Sequence, residues 1–140
     1  MNLADLSVSP EQSYTEEERR NRDVVPRFYD AGVNQRDYDA AFALLGDQYI
    51  QHNPYAADGP EGFAGLFDGI FKQLPDFRIE MRRVFVQDDL VAVQVRSHDG
   101  PSPHDEVGTD IFRVENGKVV EHWDVIRPVD EGVDPDALVA

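Results

Sequence analysis

Apolar residues recur at two different periods along this chain, and the change of period divides it. Thr15-Glu16-Glu17-Glu18 has the form of a capping box, with Thr15 at the N-cap and Glu18 at N3. A helix is expected from there to about Val33. Its stripe is Val25, Phe28, Tyr29 and Gly32, spaced i, i+3, i+4, i+7. Pro26 lies inside that stripe and is expected to kink or restart the helix. A short helix is read over Asp39–Leu45, ended by Gly46-Asp47. Tyr49–His52 is read as a strand stopped by Asn53-Pro54. Pro60 suits the first position of another helix, whose buried face would be Phe63, Leu66, Phe67, Ile70, Phe71 and Leu74. After Pro75-Asp76 the period becomes two. Strands are expected over Phe77–Val86, Leu90–His98, Val107–Val114 and Lys118–Arg127. Helices first and an antiparallel meander afterwards is an α+β layout, with helices on one face of a curved sheet.

The last hairpin decides which residues share a face. A two-residue Asn-Gly turn would oppose Asp110 to Trp123. A three-residue turn over Glu115-Asn116-Gly117 would oppose Asp110 to His122. The second register is preferred. It puts Asp110, Phe112, Val114, Val120, His122, Asp124 and Ile126 inside, and Ile111, Arg113, Val119, Glu121, Trp123 and Val125 outside. A slip of one residue would move every side chain across the sheet. In this register Asp110 and His122 have Cβ atoms ~5 Å apart. Asp124 follows ~7 Å along the same face. Burial and like-charge proximity should raise at least one of the carboxyl pKa values, and His122 should oppose that. Such a group can hold or donate a proton near neutral pH.

Composition narrows the partners. The chain has 140 residues, with 13 Lys+Arg against 28 Asp+Glu, a formal net charge of −15. This acidity argues against nucleic acid and anionic membranes, which both need basic surface. No stretch is apolar enough to span a membrane, and the first dozen residues do not read as a signal peptide. There is no Cys, so disulfides, thiolate nucleophiles and Cys-bound metals are excluded, and a cytoplasmic location is expected. Residues 1–23 carry a net −3 and residues 128–140 a net −4. The division expected is a flexible N-terminal tail over 1–14, one domain over 15–128, and an acidic, solvated C-terminal tail over 129–140.

The runs Tyr49-Ile50-Gln51-His52-Asn53-Pro54 with Asp58-Gly59, and Asp110 through Ile126, resemble the SnoaL-like polyketide cyclase branch of the nuclear transport factor 2-like superfamily. The resemblance covers about residues 20–128. It implies a cone, a strongly bent antiparallel sheet wrapped over three helices around a deep pocket. It also implies roles. The ketosteroid isomerases hold an enolate with a helix-one Tyr and a protonated strand Asp, at positions like Tyr29 and Asp110. Their base Asp falls near Asn53, so the base is missing there, and His52 is the nearest replacement. The limonene-type epoxide hydrolases use an Asp-Arg-Asp arrangement. Asp110 and Asp124 resemble its carboxylates, but Gly108 stands at the Arg position, and Arg96 would have to substitute. The cyclases pair an Asp with a His, as Asp110 or Asp124 could with His52 or His122.

The candidate catalytic residues are therefore Asp110, His52, His122, Asp124 and Tyr29. Asn53, Phe28, Phe63, Phe67, Met81, Phe112 and Ile126 are the candidate substrate-binding residues. The ligand expected is a small, mostly apolar carbonyl compound, with acid/base proton transfer next to the carbonyl leading to aldol-type cyclisation or isomerisation. A non-catalytic binding or dimerisation module is the alternative. No cofactor is expected. Ligand types for a two-His carboxylate metal site are present, but no helical i, i+4 His pair, and no metal is expected. His98 and His104 flank a Gly/Pro loop and are expected to be exposed. Ile111, Val119, Trp123 and Val125 make the outer face too apolar for a freely solvated sheet, which points to a homodimer.

Overall fold

The computed structural model describes residues 14–100 and 105–140. Helix α1 runs Glu16–Tyr29 and passes into a single wide, π-helical turn over Asp30–Asn34. The capping box forms as expected. Thr15 Oγ1 accepts from the Glu18 N–H at 3.1 Å, and Glu18 Oε2 accepts from the Thr15 N–H at 2.8 Å. The helix is not restarted at Pro26 but runs on through it. Pro26 forgoes one helical hydrogen bond and buries its ring in the core. The short second helix, α2, is Tyr38–Phe42, and α3 is Gly59–Gln73 with Pro60 in its first turn.

Five strands follow the order β1-β5-β4-β3-β2. They are β1 Leu45–Gln51, β2 Arg78–Gln87, β3 Leu90–His98, β4 Glu106–Glu115 and β5 Lys118–Pro128. The expected antiparallel meander is β2 through β5. β1 begins four residues earlier than expected and pairs parallel to β5, so Leu45 is a strand residue rather than the end of α2. The sheet is therefore mixed.

Neither expected register of the last hairpin is the observed one. At the tip, Glu115 pairs with Lys118 and Val114 with Val119 across a two-residue turn. Asn116 and Gly117 both have positive φ, 50° and 72°, the conformation that an Asn-Gly hairpin supplies. Between Arg113 and Val114 the register shifts by one, through a bulge that inserts one extra residue in β5. Asp110 then opposes Asp124, and Phe112 opposes His122. The bulge restores the facing that the three-residue turn would have produced, so Asp110, His122 and Asp124 share the inner face after all. The one residue it displaces is Val119. It was expected outside, yet both Val119 and Val120 are buried.

The core lies between α1, α3 and the inner face of the sheet, and its centre is aromatic. Phe28 packs on Phe63 at 5.2 Å between ring centroids, Phe63 on Phe67 at 4.7 Å, and Tyr29 on Phe112 edge-on at 5.5 Å.

The C-terminal segment departs from its expected form. It is not a solvated tail. Val129 is 1% exposed and Val139 2%. Helix α4, Pro135–Leu138, lies between them. The Val129 N–H donates to the Asp105 carbonyl at 2.8 Å. Arg82 reaches Asp136 at 2.8 Å, Arg96 also pairs with Asp136, and Arg83 donates to the Val139 carbonyl at 2.9 Å. Of its acids these arginines hold Asp136, and two buried valines anchor the segment, while the residues between them stay mostly exposed. The expected N-terminal tail lies, apart from Tyr14, outside the described residues.

Candidate functional site

Four elements bring polar side chains to one place on the inner face. Asp110 is on β4 between two other strands and is fully buried. Tyr29, the last residue of α1, donates its hydroxyl hydrogen to Asp110 Oδ1 at 3.0 Å. His122 on β5 is 5% exposed, and its Nε2 lies 2.7 Å from the same Oδ1. His122 Nδ1 lies 2.6 Å from Gln51 Oε1. The backbone N–H of Asn53 also donates to that Oε1, at 3.0 Å, which marks it as the amide oxygen. The His122 Nδ1 therefore carries a hydrogen. What remains between Nε2 and Asp110 is one shared proton. It sits either on a neutral carboxyl beside a neutral imidazole, or on an imidazolium beside a carboxylate.

Burial is the largest influence on Asp110 and pushes its carboxyl above the usual range. Asp124 adds to that, while the His122 and Tyr29 hydrogen bonds oppose it. Asp110 Oδ2 is buried with no hydrogen-bond partner among the described residues. Burial, followed by the Asp110 charge, drives the Tyr29 hydroxyl well above its ordinary pKa, so it stays a phenol.

Next to this buried chain is a cavity of about 110 Å³. Helix α3 contributes Leu66, Phe67 and Ile70, and the sheet contributes Ile79, Val95 and Ile126. Tyr29, Asn53 and Asp124 meet it at one polar patch, and Ser97 and Glu106 at another. Asp124 Oδ2 accepts from Asn53 Nδ2 at 2.8 Å and lies 3.9 Å from His122 Nε2. Asn53 also shapes the chain, its Oδ1 accepting from the Tyr55 N–H at 2.9 Å.

The expected site residues thus separate into three groups. Tyr29, Asp124, Asn53, Phe67 and Ile126 border the cavity. Asp110 and His122 stand behind it and reach it through Tyr29 and Asp124. Phe28, Phe63, Met81 and Phe112 are buried but do not line it, because their side chains fill the core between α1 and the sheet. His52 leaves the site altogether. It follows Gln51, and neighbouring strand positions point to opposite faces. Its ring stacks on Trp123 at 5.0 Å, and its Nε2 contacts Glu121 Oε1 at 2.8 Å on the outer face. His98 is not simply exposed. It contacts Glu80 at 2.8 Å, away from the cavity. His104 lies outside the described residues.

Gln51 and Glu106 were missed. Gln51 carried no signal in the sequence. Glu106 did, since counting back by twos from Asp110 through Gly108 reaches it. Burial raises its carboxyl pKa. Arg96 is held on the outer face by Asp105 at 2.8 Å and by Asp136, so it cannot replace the missing Arg of the epoxide hydrolases. Nor can Gly108 be that Arg without a strand shift. A Cβ there would meet the Val125 carbonyl oxygen at 2.5 Å.

Asp110, His122 and Asp124 offer ligand atoms within 4.8 Å of one another and are the residues that could hold a cation. Asp110 Oδ1, Asp124 Oδ2 and both His122 ring nitrogens are engaged with each other, with Tyr29, with Asn53 and with Gln51, and Asp110 Oδ2 has no partner among the described residues.

The sequence profile of the SnoaL-like domain matches residues 25–122, and the chain belongs to that family. Its fold is that of the nuclear transport factor 2-like proteins. A candidate SnoaL-like polyketide cyclase from Jannaschia sp. CCS1 is similar at 23% identity, with a TM-score of 0.66 over 82% of this chain and 90% of that one. A candidate ketosteroid isomerase from Kribbella flavida is similar at 18% identity, TM-score 0.65, over 84% and 85%. An LEH-like epoxide hydrolase from M. tuberculosis is similar at 20% identity, TM-score 0.60, over 79% and 85%. Among curated proteins none matches the chain. Three reaction types on one architecture mean that the fold alone does not choose among them. Among the described residues no helix is long and apolar enough to cross a membrane.

Proposed function

We propose that the protein is a cofactor-independent enzyme that moves a proton next to a carbonyl group, leading to aldol-type closure or isomerisation of a small, mostly apolar substrate. The observation that carries this reading is the buried chain Gln51–His122–Asp110–Tyr29, ending on an apolar cavity beside Asp124.

In this scheme the substrate carbonyl oxygen meets the Tyr29 hydroxyl. The Asp124 carboxylate takes a proton from the carbon next to that carbonyl, and the C–H electron pair becomes the enolate. The negative charge collects on the oxygen. Tyr29 turns its hydrogen from Asp110 to that oxygen, and protonated Asp110 then donates to the Tyr29 oxygen. His122, hydrogen-bonded to Asp110 and 3.9 Å from Asp124, holds the Asp110 carboxyl in place while the substrate proton rests on Asp124. The enolate carbon next attacks a second carbonyl, whose oxygen takes that proton from Asp124, or Asp124 returns it at a different carbon. Asp124 and Tyr29 are the catalytic residues, and Asp110 and His122 are positioning residues. The missing base at Asn53 is thereby supplied from β5, with Asn53 orienting it. Turnover of a panel of aryl ketones and β-dicarbonyl compounds by Asp124→Asn, Tyr29→Phe and the wild type tests the scheme. Binding without turnover anywhere in the panel would overturn it in favour of a binding module.

A homodimer through the outer sheet face is part of the same proposal. Val125 is 77% exposed, and Phe85, Leu90 and Ile111 are exposed on the other strands of the same face. A monomer by light scattering would contradict it.

A further inference from the structure

The cavity has a second polar patch, which the proton-transfer scheme leaves unused. Glu106 and Ser97 border it. Glu106 lies four residues before Asp110 on the same face of β4, which is about 13 Å along the strand. Asp124 is directly opposite Asp110, so the two polar patches sit near the two ends of the cavity. Between them the walls are apolar, from Phe67, Ile70, Ile79, Val95 and Ile126. Gly108 sits midway, and its missing side chain leaves room for Ile126, whose Cδ1 would be 2.4 Å from a Cβ there.

The position of Glu106 is fixed by its backbone. Its N–H donates to Ser97 Oγ at 2.9 Å. Its carboxyl is not engaged. Among the described residues no side chain makes a hydrogen bond or ion pair with it. A partly buried carboxyl beside an apolar cavity, with no side-chain partner among the described residues, is free to hydrogen-bond a polar group that enters the cavity.

We propose that Glu106 is the distal anchor of the cavity and that the substrate is a compact molecule with two oxygen functions. One is the reacting carbonyl at Tyr29 and Asp124. The other is a hydroxyl or keto group at the opposite end, hydrogen-bonded to Glu106. This rests on the reading of the Tyr29 end as the carbonyl end. The cavity is smaller than the roughly 300–1,000 Å³ of ordinary ligand pockets, so the enclosed part is of single-ring size. The Glu106 carboxylate can accept from a hydroxyl, and burial, which raises its pKa, favours the protonated form that would donate to a ketone. The anchor selects the substrate by length and polarity and takes no part in the proton transfer.

The test uses binding, which does not depend on turnover. Dissociation constants of acetophenone and 4-hydroxyacetophenone are measured by calorimetry for the full chain. The wild type is expected to bind the hydroxy compound about tenfold more tightly, the effect of one added hydrogen bond at a site built for it. Glu106→Leu is expected to remove that preference while binding acetophenone at least as well, and Glu106→Gln to keep it. In the wild type, the carbon-13 signal of the Glu106 carboxyl is expected to move with 4-hydroxyacetophenone and not with acetophenone. This second readout stands even if Glu106→Leu does not fold. Equal affinities in the wild type, a preference that survives Glu106→Leu, or an unmoved carboxyl signal would each overturn the proposal. So would tighter binding of 4-aminomethylacetophenone than of the hydroxy compound, which would make Glu106 a cation site. A surviving hydroxyl preference without any turnover would instead overturn the enzyme reading and leave the anchor standing.

Discussion

The two faces of the β4–β5 hairpin carry nearly the same chemistry and put it to different uses. On the inner face His122 lies 2.7 Å from Asp110, with Tyr29 and Phe112 packed around them. On the outer face His52 lies 2.8 Å from Glu121, with Trp123 stacked on the ring. The carboxyl groups respond in opposite directions. Asp110 is raised, chiefly by burial. Glu121 is lowered, by the His52 hydrogen bond first and then by Arg113 at 2.8 Å. Solvent and a guanidinium keep the outer acid ionised, and burial without a full countercharge gives the inner acid a use for a proton. A His–carboxylate contact is therefore no sign of function by itself. What distinguishes the inner pair is its dielectric surroundings and the cavity at its end.

Substitutions on the two faces should separate accordingly. The largest effect is expected for turnover. Asp124→Asn should lower it by ~100-fold or more on any substrate of the panel, as removal of a general base does. Glu121→Gln should leave it unchanged. Steady-state assays compare the two, and equal losses would erase the distinction between the faces. Stability should separate the faces next. Asp110→Ala leaves His122 and Tyr29 without their buried partner and should cost ~3–5 kcal/mol. Glu121→Ala should cost less, ~1 kcal/mol, because its partners His52 and Arg113 are 43% and 26% exposed and are left reachable by water. Urea denaturation measures both. Tyr29→Phe removes one hydrogen bond to a buried acid and should cost ~1–3 kcal/mol in the same assay.

The smallest effect is a pH dependence. The folded-state pKa of Glu106 is raised by burial above its unfolded value. Its contribution to stability is then fully present below the unfolded pKa and is lost as pH rises through the folded one. The wild type should thus lose melting temperature relative to Glu106→Gln as pH rises from about 4, near the ordinary value of a solvated carboxyl group. A gap between the two that stays flat with pH, or one that moves the other way, would mean that Glu106 is as well solvated as Glu121.

Local signals in the sequence were read most directly. The capping box at Thr15, the period of α3 and the alternation of β3 and β4 depend on neighbours a few residues apart, and each formed; in β2 the alternation is broken by a bulge between Met81 and Arg83, so that Ile79 and Met81 are buried before it and Val84 and Val86 after it. The inner-face set Asp110, His122 and Asp124 was legible because period two fixes it once the hairpin parity is right. The bulge that set this parity was not. Its trace is the adjacent apolar pair Val119-Val120, which alternation cannot bury together. The exit of His52 followed from alternation too, but family likeness at Asn53 drew attention to its neighbour. The packing of residues 129–140 was hidden because the arginines that hold Asp136 come from β2 and β3, some 40 to 54 residues away in the chain. Gln51 belongs to the site only through a parallel pairing with β5, which no local pattern announces.

The central claim is that Asp124 accepts a proton from carbon in a cavity backed by the Asp110–His122 pair. It is tested most directly by deuterium exchange into the methyl group of 4-hydroxyacetophenone, followed by proton NMR in heavy water. The wild type should speed the exchange well above the buffer rate, and Asp124→Asn should abolish at least ~99% of that acceleration. Exchange at the buffer rate in a wild-type protein shown to bind the ketone, or equal acceleration by Asp124→Asn, would contradict the account.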